Sequence, residues 1–130
     1  MRKHVKCYKR IVVKYGGASL ADHERMSKAI AAVSREVEKN TRIAVVVSAM
    51  GKTTDQLLDA AKNASNGKVD EKELDEILAM GERTSIRIFA AALKAQGIES
   101  RYFDPLDQDW PIITDDAFSN ANPILEQCEE

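Results

Sequence analysis

The chain has 130 residues, 44% hydrophobic and 31% charged, with a formal net charge of −2. This is the size and make-up of one globular domain that can bury its own core. No apolar run approaches the roughly 18 residues of a transmembrane helix, and the opening MRKHVKCYKR lacks the apolar core of a secretory signal peptide.

Residues 1–9 read as a flexible basic leader. Arg10 to Tyr15 is β-branched and apolar, and Gly16-Gly17 stops it, so the segment is predicted as a strand. From about Ala21 to Lys39 the apolar residues Met26, Ile30, Val33 and Val37 recur at helical spacing, and Ser19 or Asp22 can cap that helix. Ile43 to Val47 is a continuous apolar run of the kind buried on both faces in a parallel sheet. The loop Ser48-Ala-Met-Gly-Lys-Thr-Thr-Asp55 then enters a helix with Leu57, Leu58, Ala61 and Ala64 inward, and Asn66-Gly67 ends it.

A third helix carries Leu74, Ile77 and Leu78. Met80-Gly81-Glu82 interrupts the pattern, and a fourth helix presents Ile86, Phe89, Ala90 and Leu93 before Gly97 closes it as a left-handed cap. Glu99 to Phe103 reads as a third strand, Asp104-Pro105 as a turn, and Pro111 to Thr114 as a short fourth strand at a sheet edge. Residues 115–130 show no clear period. The order β-α-β-α-α-α-β-β predicts a single domain, 1–130, with the three-layer α/β/α sandwich fold and a mostly parallel sheet.

Charge is unevenly spread. Residues 1–69 hold 14 basic and 6 acidic side chains, and residues 70–130 hold 5 basic and 15 acidic. Such a chain can hold an anionic ligand near its first half, or the charges can simply be solvated helix faces. The basic residues are not interleaved with aromatics, which argues against nucleic acid as a partner. Two cysteines, Cys7 and Cys128, are too few for a disulfide framework or a zinc site, so a reducing cytoplasm is the expected location.

In open α/β sheets ligands bind outside the carboxyl ends of the strands, and two loops leave those ends here. In Lys14-Tyr-Gly-Gly-Ala-Ser19 the glycine pair lets backbone amides approach a ligand, and Lys14 with a helix N-terminus favours phosphate. A strand-to-helix turn would use glycine as well. Gly51-Lys52-Thr53 suggests a P-loop, but such a loop needs a small residue where Val46 stands. That loop instead offers the hydroxyls of Ser48 and Thr54, and Thr53 or Thr54 can cap the next helix. Glu82 is placed where an acid complements a helix N-terminus, as a structural group or as a ligand. Arg83 and Ser85 have weaker claims. His4 and His23 lie outside any cluster, no metal-ligand spacing appears, and no nucleophilic triad is readable.

Val13-Lys-Tyr-Gly-Gly-Ala-Ser19, Val45-Val-Val-Ser-Ala-Met-Gly-Lys-Thr-Thr-Asp55 and Leu78-Ala-Met-Gly-Glu-Arg-Thr-Ser85, in that order, resemble the N-terminal part of the aspartate kinases in the amino acid kinase family. Ile113-Thr-Asp-Asp116 with Asn120-Ala121 is similar to the family's next landmark. The resemblance implies phosphoryl transfer from ATP, with Mg2+ bound through the ATP phosphates, to the side-chain carboxylate of L-aspartate. The product is 4-phospho-L-aspartate, the entry to lysine, threonine and methionine biosynthesis.

It also implies roles by position. Lys14 would meet the ATP phosphates as the catalytic lysine, and Gly16, Gly17 and Ser19 would form part of the phosphate cradle. Ser48 and Thr54 would hold aspartate, and Glu82 would receive its ammonium group. The family's Gly-Arg-Gly-Gly-Ser-Asp loop, most of its nucleotide pocket and its regulatory region have no counterpart in these residues. The chain is therefore expected to be incomplete alone, and to self-associate or meet a partner chain that supplies the rest. A non-catalytic binding or regulatory module, or half of a different member of the family, is the alternative.

Overall fold

The computed structural model describes residues 8–128. The expected leader lies mostly outside that range, as do His4 and Cys7. Two strands, β1 (Arg10–Tyr15) and β2 (Arg42–Val47), pair in parallel from Arg10 opposite Arg42 to Tyr15 opposite Val47. Parallel neighbours need a long crossover, and α1 (His23–Glu38) supplies it. α2 (Thr53–Ala64) and α3 (Glu71–Ala95) follow.

Local chemistry explains the ends of these helices. Asp22 rather than Ser19 caps α1, its carboxylate accepting from the Arg25 N–H at 2.8 Å. Asp70 does the same for α3 through Glu73 N–H at 2.9 Å. Neither threonine caps α2; the cap position is Lys52, and Thr53 Oγ1 donates to the Met50 carbonyl at 2.6 Å. The left-handed residues Asn40, Asn66 and Gly97 follow the three C-termini. At the last, Ile98 N–H reaches Leu93 O and Gly97 N–H reaches Lys94 O. These are the paired bonds of a Schellman motif, and they satisfy carbonyls that the helix leaves open.

Both strands alternate half-buried and exposed residues along their length. The inward set packs with α1 and α3. Leu20, Ala29, Ile30, Val33, Phe89 and Leu93 form the buried core, with Tyr15, Ile43, Val45 and Val47 against it. Tyr15 stacks on Phe89 with ring centroids 5.8 Å apart. The outward set, including Val12 at 75% exposure and Val46 at 48%, is open. Burial on both faces, expected for Ile43 to Val47, is therefore not observed, because no layer covers the second face among the described residues.

Other expectations are corrected as well. The third and fourth helices are one continuous helix, α3, and Gly81 lies inside it. A Cβ on Gly81 would stand 2.8 Å from the Ala49 Cβ, so the glycine lets α3 approach the loop after β2. It marks close packing and not a break. Ala64 is exposed rather than inward. Glu99 to Phe103 forms no strand, and Pro111 to Thr114 contributes only an isolated antiparallel bridge between Thr114 and Pro123. With two strands and helices against one face, the described residues build an α/β fold without the third layer of the expected sandwich.

After α3 the chain is tied back by one buried acid. Asp104 is 2% exposed. Its Oδ2 accepts from Arg83 Nε at 2.8 Å and Arg87 Nη2 at 3.1 Å, and its Oδ1 accepts from the Leu106 N–H at 3.1 Å. Burial pushes this carboxyl upward, but the hydrogen bonds from Arg83, Leu106 and Arg87 outweigh it and hold it below its ordinary 3.8. A depressed carboxylate stabilises the fold fully above its unfolded value of about 3.9, and that contribution fades as pH falls through the lowered folded value.

Asp104→Asn should therefore lower stability at pH 7 by roughly 1–2 kcal/mol, the range of a charge-assisted hydrogen bond to part-exposed arginines. It should also flatten the acid limb of stability below pH 4, both read from urea unfolding across pH. In the same assay Gly81→Ala should destabilise. The overpacking cost of about 1–3 kcal/mol opposes the helix-propensity gain of about 1 kcal/mol, because the Ala49 Cβ cannot rotate away.

Candidate functional site

Because Tyr15 and Val47 are partners at the ends of β1 and β2, Gly16 and Ser48 begin their loops side by side. Backbone bonds then join the loops: Ser48 N–H donates to Tyr15 O at 3.1 Å, and Gly51 N–H to Gly17 O at 3.0 Å. The first loop closes into a short 3-10 helix, Gly17–Leu20, with Ser19 N–H on Gly16 O.

The glycines divide by role. A Cβ on Gly17 would lie 2.7 Å from the Ala49 carbonyl oxygen, so Gly17 serves the contact between the loops. Gly51 sits at φ +55°, where a side chain is strained. Gly16 is different. Its φ is −74°, and a Cβ there would meet nothing within 4 Å. No internal contact requires glycine at that position, and the space beside its backbone is open.

Lys14 is exposed and belongs to the outward set of β1. It makes no ion pair among the described residues. Ser48 is half-buried directly after β2, whereas Thr54 is exposed in the first turn of α2. Glu82 is half-buried in the middle of α3, not at a helix start as expected. Its Oε1 accepts from the Ala49 N–H at 3.4 Å, so this acid is turned toward the loop of Ser48. The structure thus joins the first loop, the second loop and Glu82 through backbone contacts that meet at Ala49. Lys14 and Thr54 are close to these loops in sequence, with no direct bond to them.

One supporting residue gains a role that the sequence alone did not give it. Ala49 is 2% exposed, and it meets Gly17, Gly81 and Glu82 at once. Its only sequence signal was a small residue after an apolar strand. Ser85 is fully buried, and its Oγ has no hydrogen-bond partner among the described residues. Arg83 is engaged with Asp104, so it serves the fold rather than the two loops. Among the described residues no group of three His, Cys, Asp or Glu could hold a metal ion. No helix there is long and apolar enough to cross a membrane.

Known proteins are similar to this chain in sequence and fold. The family model described as the amino acid kinase family covers residues 9–129. An aspartokinase from Thermus thermophilus is 40% identical over 116 residues, which is 89% of this chain and 28% of that protein. One from Geobacillus stearothermophilus is 42% identical over 90 residues, or 69% of this chain and 22% of the relative. The crystal structure of aspartate kinase from Synechocystis superposes with a TM-score of 0.62 at 38% identity, covering 67% of this chain and 15% of that one. The chain thus spans only 22–28% of the length of these curated relatives. With a family model matched across nearly its whole length, this chain belongs to the amino acid kinase family.

Proposed function

We propose that the chain is the aspartate-binding and phosphate-loop portion of an aspartate kinase. The complete domain transfers a phosphoryl group from ATP to the side-chain carboxylate of L-aspartate in the cytoplasm, toward lysine, threonine and methionine. The observation that carries this reading is the junction at Ala49. There the glycine loop touches the Ser48 loop through Gly17, and Glu82 accepts a bond from the same residue. An anion site, hydroxyls and a carboxylate are what a ligand with a phosphate neighbour, a carboxylate and an ammonium group needs. The aspartokinase names of the 40% identical relatives support the choice of substrate.

In this reading the open space at Gly16 and the uncommitted charge of Lys14 receive the ATP phosphates, with the amides around Gly17 and Ser19. Magnesium comes bound through the ATP oxygens and neutralises charge on them. Ser48 and Thr54 hold the aspartate carboxylate that reacts, and Glu82 holds the ammonium group. A carboxylate is already ionised at neutral pH, so no base has to deprotonate it. One carboxylate oxygen forms a bond to the terminal phosphorus while the bond from that phosphorus to the bridging oxygen breaks, releasing ADP. The protein's task is to bring two anions together and offset their charge. The remaining three quarters of the relatives' length holds the rest of the machinery in this proposal, supplied in the same polypeptide or by a partner.

Isothermal titration of the full chain with L-aspartate tests the substrate half. Glu82→Gln should weaken binding by about ten- to a hundredfold, the value of one charge-assisted bond, and a Glu99→Gln control should not. Unchanged affinity in Glu82→Gln would reject the ammonium role. In a coupled kinase assay of the completed domain, Lys14→Ala should lower kcat by about 10²–10³, as for loss of one positive or hydrogen-bonding stabiliser of developing charge. Its effect on the KM for aspartate should be small. A changed KM with an intact kcat would count against placing Lys14 at the transferred group.

A further inference from the structure

One face of α3 carries Gly81, Ser85 and Phe89 at steps of four, and all three are buried, as residues so spaced share a helix face. The two outer members fix where the middle one sits. Gly81 packs against Ala49 of the second loop. Phe89 stacks on Tyr15, whose carbonyl receives the Ser48 N–H at 3.1 Å. Ser85 therefore lies beneath the point where β1 and β2 give way to the two loops. Helical side chains lean toward the N-terminus of their helix, so that of Ser85 leans back to the turn of Gly81 and Glu82, at Ala49.

The Ser85 hydroxyl is the only buried side-chain nitrogen or oxygen left without a hydrogen-bond partner among the described residues. Its residue is 0% exposed. An unpaired buried hydroxyl is costly, and alanine would favour the helix without that cost. A second slack contact lies one turn away. The Ala49 N–H reaches Glu82 Oε1 at 3.4 Å, beyond the roughly 2.7–3.2 Å of a well-formed N–H···O bond. The Ser48 carbonyl accepts no backbone N–H among the described residues. An uncommitted donor, an uncommitted acceptor and a long bond thus meet at one contact between α3 and the second loop. Hydrogen bonds of ligand-free sites are commonly long and tighten in the complex.

We infer that Ser85 is a positioning residue for the aspartate half of the site. With L-aspartate bound, the Ser48–Ala49 segment closes onto α3. The Ala49 N–H shortens its bond to Glu82, and the Ser85 O–H donates to the Ser48 carbonyl. The Ser48 hydroxyl is then held toward the substrate carboxylate, and the second oxygen of Glu82 toward the ammonium group. Ser85 touches no substrate atom and exchanges no proton with one. Its pairing, withheld in the free chain, favours the closed loop once ligand is present. The inference rests on the proposed function for the identity of the ligand.

Three measurements on the full chain and on Ser85→Ala and Ser100→Ala test it. Ser100 lies outside the site, and its Oγ donates to the Ala90 carbonyl at 3.1 Å. Without ligand, Ser85→Ala should unfold at the same or a higher urea concentration than the parent, because alanine removes an unpaired polar group and favours the helix. Ser100→Ala should unfold at a lower one. In isothermal titration, L-aspartate should bind Ser85→Ala about five- to tenfold more weakly, the net value of one neutral hydrogen bond. Its affinity for Ser100→Ala should not change. At saturating L-aspartate, hydrogen exchange of the Ala49 amide should slow about tenfold in the parent and far less in Ser85→Ala.

A lower urea midpoint for Ser85→Ala would mean that the hydroxyl is already paired in the free chain, and would overturn the assignment. Weaker binding with the Ala49 protection retained would also overturn it. Equal affinity and equal protection in Ser85→Ala and the parent would overturn it too, while leaving the proposed function standing. Absence of L-aspartate binding by the parent, both alone and in the completed domain, would reject the proposed function and this inference with it. Weaker binding and lost protection at undiminished stability would establish the positioning role.

Discussion

The molecule depends on the register between its two strands. Tyr15 opposite Val47 ends both strands at one level and points both loops the same way. A slip of two residues would keep every side chain on its face but separate Gly17 from Gly51. It would also remove Ala49 from the junction where the glycine loop, the second loop and α3 meet. The inward residues of both strands pack with α1 and α3, and this packing holds the register.

From that register follows the division of the sheet into two unlike faces. One carries Tyr15, Val45 and Val47 against a buried core, and the other leaves Val12 and Val46 exposed beside Lys14. An aliphatic surface of this kind is costly in water, and a parallel sheet is normally covered on both faces. The same incompleteness appears at the edge of β2. Both features are those of a part of a larger α/β layer, in keeping with a chain that spans 28% of a 40% identical relative.

Much of this was legible in the sequence, for definable reasons. β1, α1 and α2 announced themselves because apolar spacing and the stop signals Gly16-Gly17 and Asn66-Gly67 agreed. Gly97 takes the left-handed conformation that its place after the helix predicts. The two loops were found at strand ends, where geometry favours ligands. The errors came from signals with two meanings. Gly81 reads as a helix break from spacing, yet in the fold it is the contact surface between α3 and Ala49. Glu99 to Phe103 has the composition of a strand and no neighbour to pair with among the described residues. Asp104 read as a turn, which it is, but its burial under Arg83 and Arg87 depends on residues a full helix length away.

What the sequence determined by itself is local: where helices start and stop, which residues alternate toward a core, and which short motifs sit at the ends of strands. These follow from backbone sterics, capping and hydrophobic period, all of which act within a few residues. Tertiary structure alone decided that α3 runs unbroken through Gly81, that Glu82 turns to the loop of Ser48, and that β2 keeps an unpaired edge among the described residues. Each depends on groups distant in sequence approaching within a few ångströms, and a hydrogen bond or steric contact between them has no signature in the local pattern.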